Sequence, residues 1–342
     1  MDQALITIIY LSAALFMGWS LGANDAANIF GTAVMTRMVS FRKAALAMTV
    51  FIALGAVISG SGPVETLGEL GKIRTMDEAF MVSLTAAGTV LLMTSRGIPV
   101  STSQSIVGAI VGWNLYSGNE TDMAVLSRIA GTWVFAPVLG AGFGMLFYLI
   151  IRQFHSKLPI HLVQMDRLVR TMLLIAGILG SYSLGANNMA NVMGVFVNSM
   201  SVPDLMAGGR ILFTGRQLLF LLGALAVAAG VWTYSHRVMD TVGTRIYQLS
   251  PASALAVVMA SATVLFIFAS TELEAFLLSA GLPSFPLVPV SQSQTVVGAV
   301  IGIGLLRGAQ NLNLRVLARI FAGWILTPVT AMVLAFFLLS FT

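Results

Sequence analysis

Two short strings carry most of the chain's unusual chemistry. GANDAAN at Gly22–Asn28 and GANNMAN at Gly185–Asn191 agree at five of seven positions, and each sits in otherwise apolar sequence. Gly and Asn are poor helix formers, so each string predicts an interrupted helix whose backbone unwinds. Bare carbonyls and the oxygens of Asn24, Asn28, Asn187 and Asn191 suit a small hard cation such as Na⁺, with Asp25 adding a negative charge. Carboxamide N–H groups suit an anion instead. Asp25 is the only acid in either string, and Asn188 takes its place in the second.

A second pair of strings points to an anion. PVSTSQSIVGAIVG begins at Pro99 and PVSQSQTVVGAVIG at Pro289, with nine of fourteen positions shared. Each puts Pro before hydroxyls and amides, then an apolar run. Ser and Thr are strong N-caps and Pro pre-sets a first turn, so each predicts a helix start. Such an end carries free N–H groups and about half a positive charge, and it binds oxyanions without Lys or Arg. Two ends facing one another, lined by Ser101, Thr102, Ser103, Ser291, Gln292 and Ser293, would hold a small tetrahedral anion. Gln104 and Gln294 follow in the same first turns.

These residues need elements to hold them, and composition fixes the kind. The 342 residues are 57% hydrophobic and 9% charged, against roughly 25% charged in a soluble domain. Ten apolar stretches recur: Ala4–Gly22, Ala44–Gly60, Ala79–Ser95, Ile98–Tyr116, Ala124–Ile151, Thr171–Leu184, Ile211–Tyr234, Ala252–Ser270, Pro289–Leu306 and Val316–Phe341. A helix needs about 20 apolar residues to cross a bilayer, and barrel strands need about half that, so the expected class is an all-α integral membrane protein. The chain has no cysteine, which excludes disulfides and thiol chemistry. The first apolar stretch lacks a basic leader and is not read as a cleaved signal. Arg37–Lys43 is expected inside the cell and the N-terminus outside.

Order exposes a duplication. VETLG (Val64–Gly68) echoes MDTVG (Met239–Gly243), and RIAGTWVFAP from Arg128 echoes RIFAGWILTP from Arg319. With the two pairs above, four landmarks repeat in register. The expected organisation is a first membrane repeat at 1–155, a central connection at 156–166 and a second repeat at 167–342. Duplicated membrane halves point to a transporter with its site near the midplane between repeats. The hairpins are expected to enter at Ile98–Tyr116 and near Glu274–Leu306.

The chain resembles the inorganic phosphate transporter (PiT) family, which includes relatives that carry sulfate. The resemblance rests on both GAN strings, both PVS-x-S strings and RVMDTVGTRIYQLSPASALA at Arg237–Ala256, and it covers nearly the whole chain. It implies inverted repeats with broken helices, two re-entrant helical hairpins, and symport of an oxyanion with Na⁺ or H⁺. It implies anion contacts at Asp25, Ser101, Thr102, Ser103, Ser291 and Ser293, and the reading of the residues adds Gln292 and Asn188 as anion-contact candidates. It places coupling-ion contacts on the same broken helices, and the candidates there are Asn24, Asp25, Asn28, Asn187 and Asn191, with Gln104 and Gln294 added from the residues themselves. The chain departs from the family's usual PVSTTH, with Gln104 and Gln294 at the His places and Gln292 where Thr is usual.

Hydrogen phosphate can donate its proton to a carboxylate, whereas sulfate cannot, so Asp25 favours phosphate. Asn188 and the two Gln residues keep sulfate as the alternative. A dianion entering a negative interior climbs about 2.3 kcal/mol per charge per 100 mV, so uptake needs at least two cations to cancel its charge. Na⁺ is the expected partner ion and H⁺ its rival, with no resident cofactor. The expected setting is the plasma membrane, crossed several times and bathed in lipid, with no nucleic-acid partner and homodimerisation left open. A cation exchanger, a passive anion channel and an intramembrane hydrolase rank lower; His155, His161 and His236 lie near polar connections, away from any serine nucleophile in the proposed cavity. Arg128 and Arg319 read as snorkelling cations, Trp133 and Trp324 as interface anchors. Glu65 and Asp240 read as solvated acids, with a gate or proton relay as the alternative.

Overall fold

The computed structural model describes residues 3–71, 73–157, 161–207, 210–241, 243, 246–309 and 312–340. They form helices α1 (Gln3–Leu21), α2 (Ala27–Met35), α3 (Phe41–Ser59), α4 (Ser61–Leu70), α5 (Met76–Thr94), α6 (Thr102–Ser117), α7 (Met123–Lys157) and α8 (Leu162–Val197). A short exposed hairpin, β1 (Leu205–Ala207) and β2 (Arg210–Phe213), follows. The chain continues through α9 (Gly215–Tyr234), α10 (His236–Asp240), α11 (Pro251–Ile267), α12 (Thr271–Ser279), α13 (Gln292–Leu306) and α14 (Leu314–Leu339).

Local chemistry sets the helix starts. Glu78 accepts from the N–H groups of Arg74 and Thr75 before α5, and Gln217 reaches back to Thr214 N–H before α9. Each contact occupies backbone N–H groups beside a helix start. Ser250 caps α11, with Pro251 in its first turn. Ser101 and Ser291 accept from Gln104 N–H (3.1 Å) and Gln294 N–H (3.3 Å), so both predicted helix starts fall where the hydroxyls place them.

Among the described residues, seven helical stretches are long and apolar enough to cross a bilayer, or eight if α11 and α12, bent by 67°, count as one span. The sequence carries ten apolar stretches because two of them are short. α6 has 16 residues and α13 has 15. At about 1.5 Å per residue neither spans the roughly 30 Å of hydrocarbon. Each is the inner arm of a hairpin. One hairpin runs from α5 through Ser95–Ser101 into α6. The other runs through α11 and α12, then an irregular segment ending at Ser291, into α13. Part of the stretch expected from Ile211 is strand β2.

The GAN strings correct the expectation of unwound backbone. In the first copy a π-helical turn, Gly22–Ala26, joins α1 to α2 without a break. Such turns recur at functional sites because one extra residue re-aims the side chains around it. In the second copy α8 runs unbroken through Gly185–Asn191. The asparagine side chains find polar partners on the hairpins, so the main chain need not open. The interruptions lie elsewhere, at Gly60 between α3 and α4, at Ser235 between α9 and α10, and at the α11–α12 bend.

The matched helices of the two halves pack reciprocally. α6 lies on α14 and α13 on α7; α3 lies on α8 and α9 on α1; α4 packs on α8 and α10 on α2. The closest approaches match as well. A Cβ at Gly108 would overlap the carbonyl of Pro328, and one at Gly298 the carbonyl of Pro137. Pro137 and Pro328 sit inside α7 and α14 at corresponding places. The 158–160 part of the central connection and Val242, within the MDTVG landmark, lie outside the described residues.

Candidate functional site

Both hairpin tips are held by an asparagine from a GAN string. Asn24 Nδ2 donates to the carbonyl of Val100 (2.6 Å), and Val100 N–H donates back to Asn24 Oδ1 (3.2 Å). In the second half Asn187 Nδ2 donates to Val288 O (3.0 Å), and Val290 N–H donates to Asn187 Oδ1 (2.7 Å). A carboxamide matches an extended peptide because it offers a donor and an acceptor side by side. These two asparagines are therefore clamps on main chain. They orient the residues that follow, and both ends of each amide are already engaged.

The tips meet. Ser293 Oγ donates to Val100 O across the two hairpins (2.8 Å) and lies 3.1 Å from Ser291 Oγ. Asp25 faces the first turn of α6: Thr102 Oγ1 donates to Asp25 Oδ2, and Asn24 Nδ2 to Asp25 Oδ1 (2.9 Å). A carboxylate at a helix N-terminus is favourable for the same reason that an incoming oxyanion is. From the other half, Asn191 Nδ2 donates to Ser103 Oγ (2.9 Å) and Asn188 Oδ1 (3.0 Å), and Ser103 Oγ reaches Asn188 Oδ1 at 3.5 Å. Asn28 Nδ2 donates to Asn24 O (3.0 Å).

The structure thus brings Asn24, Asp25, Asn28, Ser101, Thr102, Ser103, Asn187, Asn188, Asn191, Ser291, Gln292 and Ser293 into one buried region. None of these side chains belongs to a residue more than 2% exposed, so the region is closed to solvent. Several polar atoms in it have no protein partner: Asn28 Oδ1, Asn191 Oδ1, Asn188 Nδ2 and Gln292 Oε1. Buried polar atoms are costly to leave unpaired, and native structures pair nearly all of them. Unpaired oxygens call for a cation or a donor, and an unpaired N–H calls for an acceptor.

Gln104 and Gln294 point elsewhere. They line a groove between α7 and α14, with Trp133, Trp324, Pro137 and Pro328. The tryptophans expected at the membrane interface thus turn into this groove, and Trp324 is 5% exposed. Arg128 and Arg319 are exposed. Glu65 meets Arg216 at 3.4 Å on the surface. Reading the residues alone missed the clamp role of Asn24 and Asn187 and their main-chain partners. The signal was present, since an Asn third in each GAN string recurs with a Val second in each PVS string.

The sequence profile of the phosphate transporter family matches residues 21–335. The chain belongs to the phosphate transporter family. An Arabidopsis thaliana relative, the chloroplastic inorganic phosphate transporter 2-1, is 26% identical over 99% of this chain and 72% of its own. A Pyrococcus abyssi protein, provisionally named a phosphate permease, is 28% identical over 98% of both chains. Among solved structures, the one titled "The sodium-dependent phosphate transporter" superposes with a TM-score of 0.76 at 25% identity, over 99% of this transporter and 100% of that chain. This family of transporters is a multi-span, nearly all-helical membrane class, in keeping with the reading of the strings and the composition.

Proposed function

We propose that this transporter is a plasma-membrane symporter that takes up inorganic phosphate with Na⁺. The observation that carries the reading is the closed, polar meeting point of two helix N-termini, α6 and α13, which contains a single carboxylate and no Lys or Arg. Dipole ends and hydroxyls grip a desolvated oxyanion there, and basic side chains would only hold it too tightly to release. The anion contacts assigned are Ser101, Thr102, Ser103, Ser291, Gln292, Ser293 and the spare N–H of Asn188, with the P–OH of hydrogen phosphate donating to the Asp25 carboxylate. The unpaired oxygens of Asn28 and Asn191, together with Asp25, are assigned to Na⁺. Asn24 and Asn187 act through the tips they clamp. The 1–155 and 167–342 halves act as inverted repeats joined at 156–166, and alternating access comes from one moving against the other.

The Asp25 carboxylate favours phosphate over sulfate, because hydrogen phosphate can donate its proton to it whereas sulfate at neutral pH has none to give. The sodium-dependent title of the structural neighbour also supports Na⁺ over H⁺. The test is labelled phosphate uptake into proteoliposomes with an imposed Na⁺ gradient. Accumulation above equilibrium that collapses without the gradient supports symport. Equilibration alone makes the protein a channel, and sulfate displacing phosphate at equal concentration makes it a general oxyanion carrier.

A further inference from the structure

Two landmarks of the duplication have no part in the site, VETLG (Val64–Gly68) and MDTVG (Met239–Gly243). Their threonines make matched contacts. Thr66 Oγ1 donates to the carbonyl of Leu287 (2.6 Å), and Thr241 Oγ1 to the carbonyl of Gly97 (2.7 Å). Leu287 and Gly97 each stand two residues before the Pro of a PVS string and four before its N-cap serine. Each bond therefore holds the mouth of a hairpin, and each crosses the halves. Thr66, from the first half, holds the second hairpin; Thr241, from the second, holds the first. The two lie on opposite faces of the bundle. α10, just before Thr241, packs on α2, and a Cβ at Gly243 would strike Met35 at the end of α2. α3 starts on that same face and runs for 19 residues, about 28 Å, before Gly60 turns the chain into α4 and Thr66.

We infer that Thr66 and Thr241 are paired latches, one per membrane face, and that each is the bond that parts when its hairpin mouth opens toward water. The inference rests on the alternating-access reading above and gives that motion its residues. The bonding of each hairpin says which contact yields. Asn24 and Asn187 each hold a tip of their own half by two hydrogen bonds among buried residues. Each latch is one short, part-buried hydrogen bond at a rim where charged residues are exposed, Glu65 beside Thr66 and Arg237 near Thr241. Groups orphaned in the buried clamp lose their partners outright, whereas water replaces a hydroxyl at the rim. The clamp therefore outlasts the latch, and opening begins at the mouth. Arg237 Nη1 also reaches Ser95 O, but at 3.5 Å, too long to hold that mouth shut alone. Both latches are made in this structure, in keeping with a site closed to solvent.

The chain has no cysteine, so Val290→Cys, at a residue 0% exposed, gives a single thiol at the hairpin tips. A membrane-impermeant maleimide is applied to the full chain in right-side-out and in inverted vesicles, without phosphate. Thr66→Val keeps the shape and removes the donor. It should raise the labelling rate from one face about two- to tenfold and leave the other face unchanged. Thr241→Val should do the same from the opposite face. Thr66→Ser and Thr241→Ser keep the hydroxyl and should label like the reporter alone. Labelling raised from both faces, raised from the same face by both Val variants, or raised by neither overturns the proposal. So does a Ser variant that labels like its Val counterpart. Thr66→Ala and Thr241→Ala repeat the comparison if a Val variant fails to fold. Phosphate uptake by the cysteine-free parent keeps this outcome apart from that of the symport reading. Sided labelling without Na⁺-driven accumulation retains the latches, and unsided labelling with full accumulation removes them alone.

Discussion

Removing one clamp separates a positioning residue from an anion contact. Asn187→Ala leaves Val290 N–H and Val288 C=O, both in fully buried residues, without the partners they hold at 2.7 and 3.0 Å. Each buried orphan costs about 1–3 kcal/mol. The closed second tip is therefore destabilised by roughly 2–6 kcal/mol, less whatever water recovers. At about 1.4 kcal/mol per tenfold, even the lower bound raises the open population of the tip roughly thirtyfold. Hydrogen–deuterium exchange with mass spectrometry reads this directly, as faster exchange at Val290 and Ser291 with unchanged exchange in the first hairpin around Val100. Phosphate uptake should fall with it, although the side chain touches no anion. Asn187→Asp retains an acceptor for Val290 N–H and should recover part of the protection. Unchanged exchange at Val290 in Asn187→Ala would refute the clamp. Loss of uptake with full protection would move Asn187 into ion binding.

Other outcomes follow from the same contacts. Asp25→Asn should lower phosphate transport much more than sulfate transport in paired uptake assays; equal loss of both would place Asp25 with the coupling ion. The double change Ser101→Ala and Ser291→Ala removes both N-cap acceptors, each worth about 1 kcal/mol. It should weaken phosphate binding by isothermal titration while helix content by circular dichroism is kept, and unaltered affinity would discredit the paired helix ends. Gly298→Ala puts a Cβ onto the Pro137 carbonyl and should cost about 1–3 kcal/mol or more in thermal melts. Gly131→Ala, inside α7, meets nothing and should melt no lower than the parent and up to about 1 kcal/mol more stable, since Ala is the better helix former.

Much of the outcome was legible in the residues. The charge deficit fixed a membrane bundle, because a surface with so few ions has no place in water. Ser101 and Ser291 marked their helix starts correctly, because an N-cap is a local interaction completed within three residues. The duplicated strings marked matched places that the packing then used reciprocally. The unwinding expected at Gly22–Asn28 and Gly185–Asn191 did not occur. Helix propensity is a weak local term, and the polar partners that settled it come from hairpins some 75 to 100 residues away.

What the sequence alone determined about this protein was therefore local and compositional: helical class, helix ends, repeats and the polar inventory. Tertiary structure decided which polar groups face one another. It turned Asn24 and Asn187 toward main chain, Asp25 toward Thr102, and Gln104 and Gln294 away from the tips into a lateral groove. Spacing along a chain sets which residues share a turn. Which buried donor finds which buried acceptor depends on helices packed from opposite halves, and no single stretch encodes that.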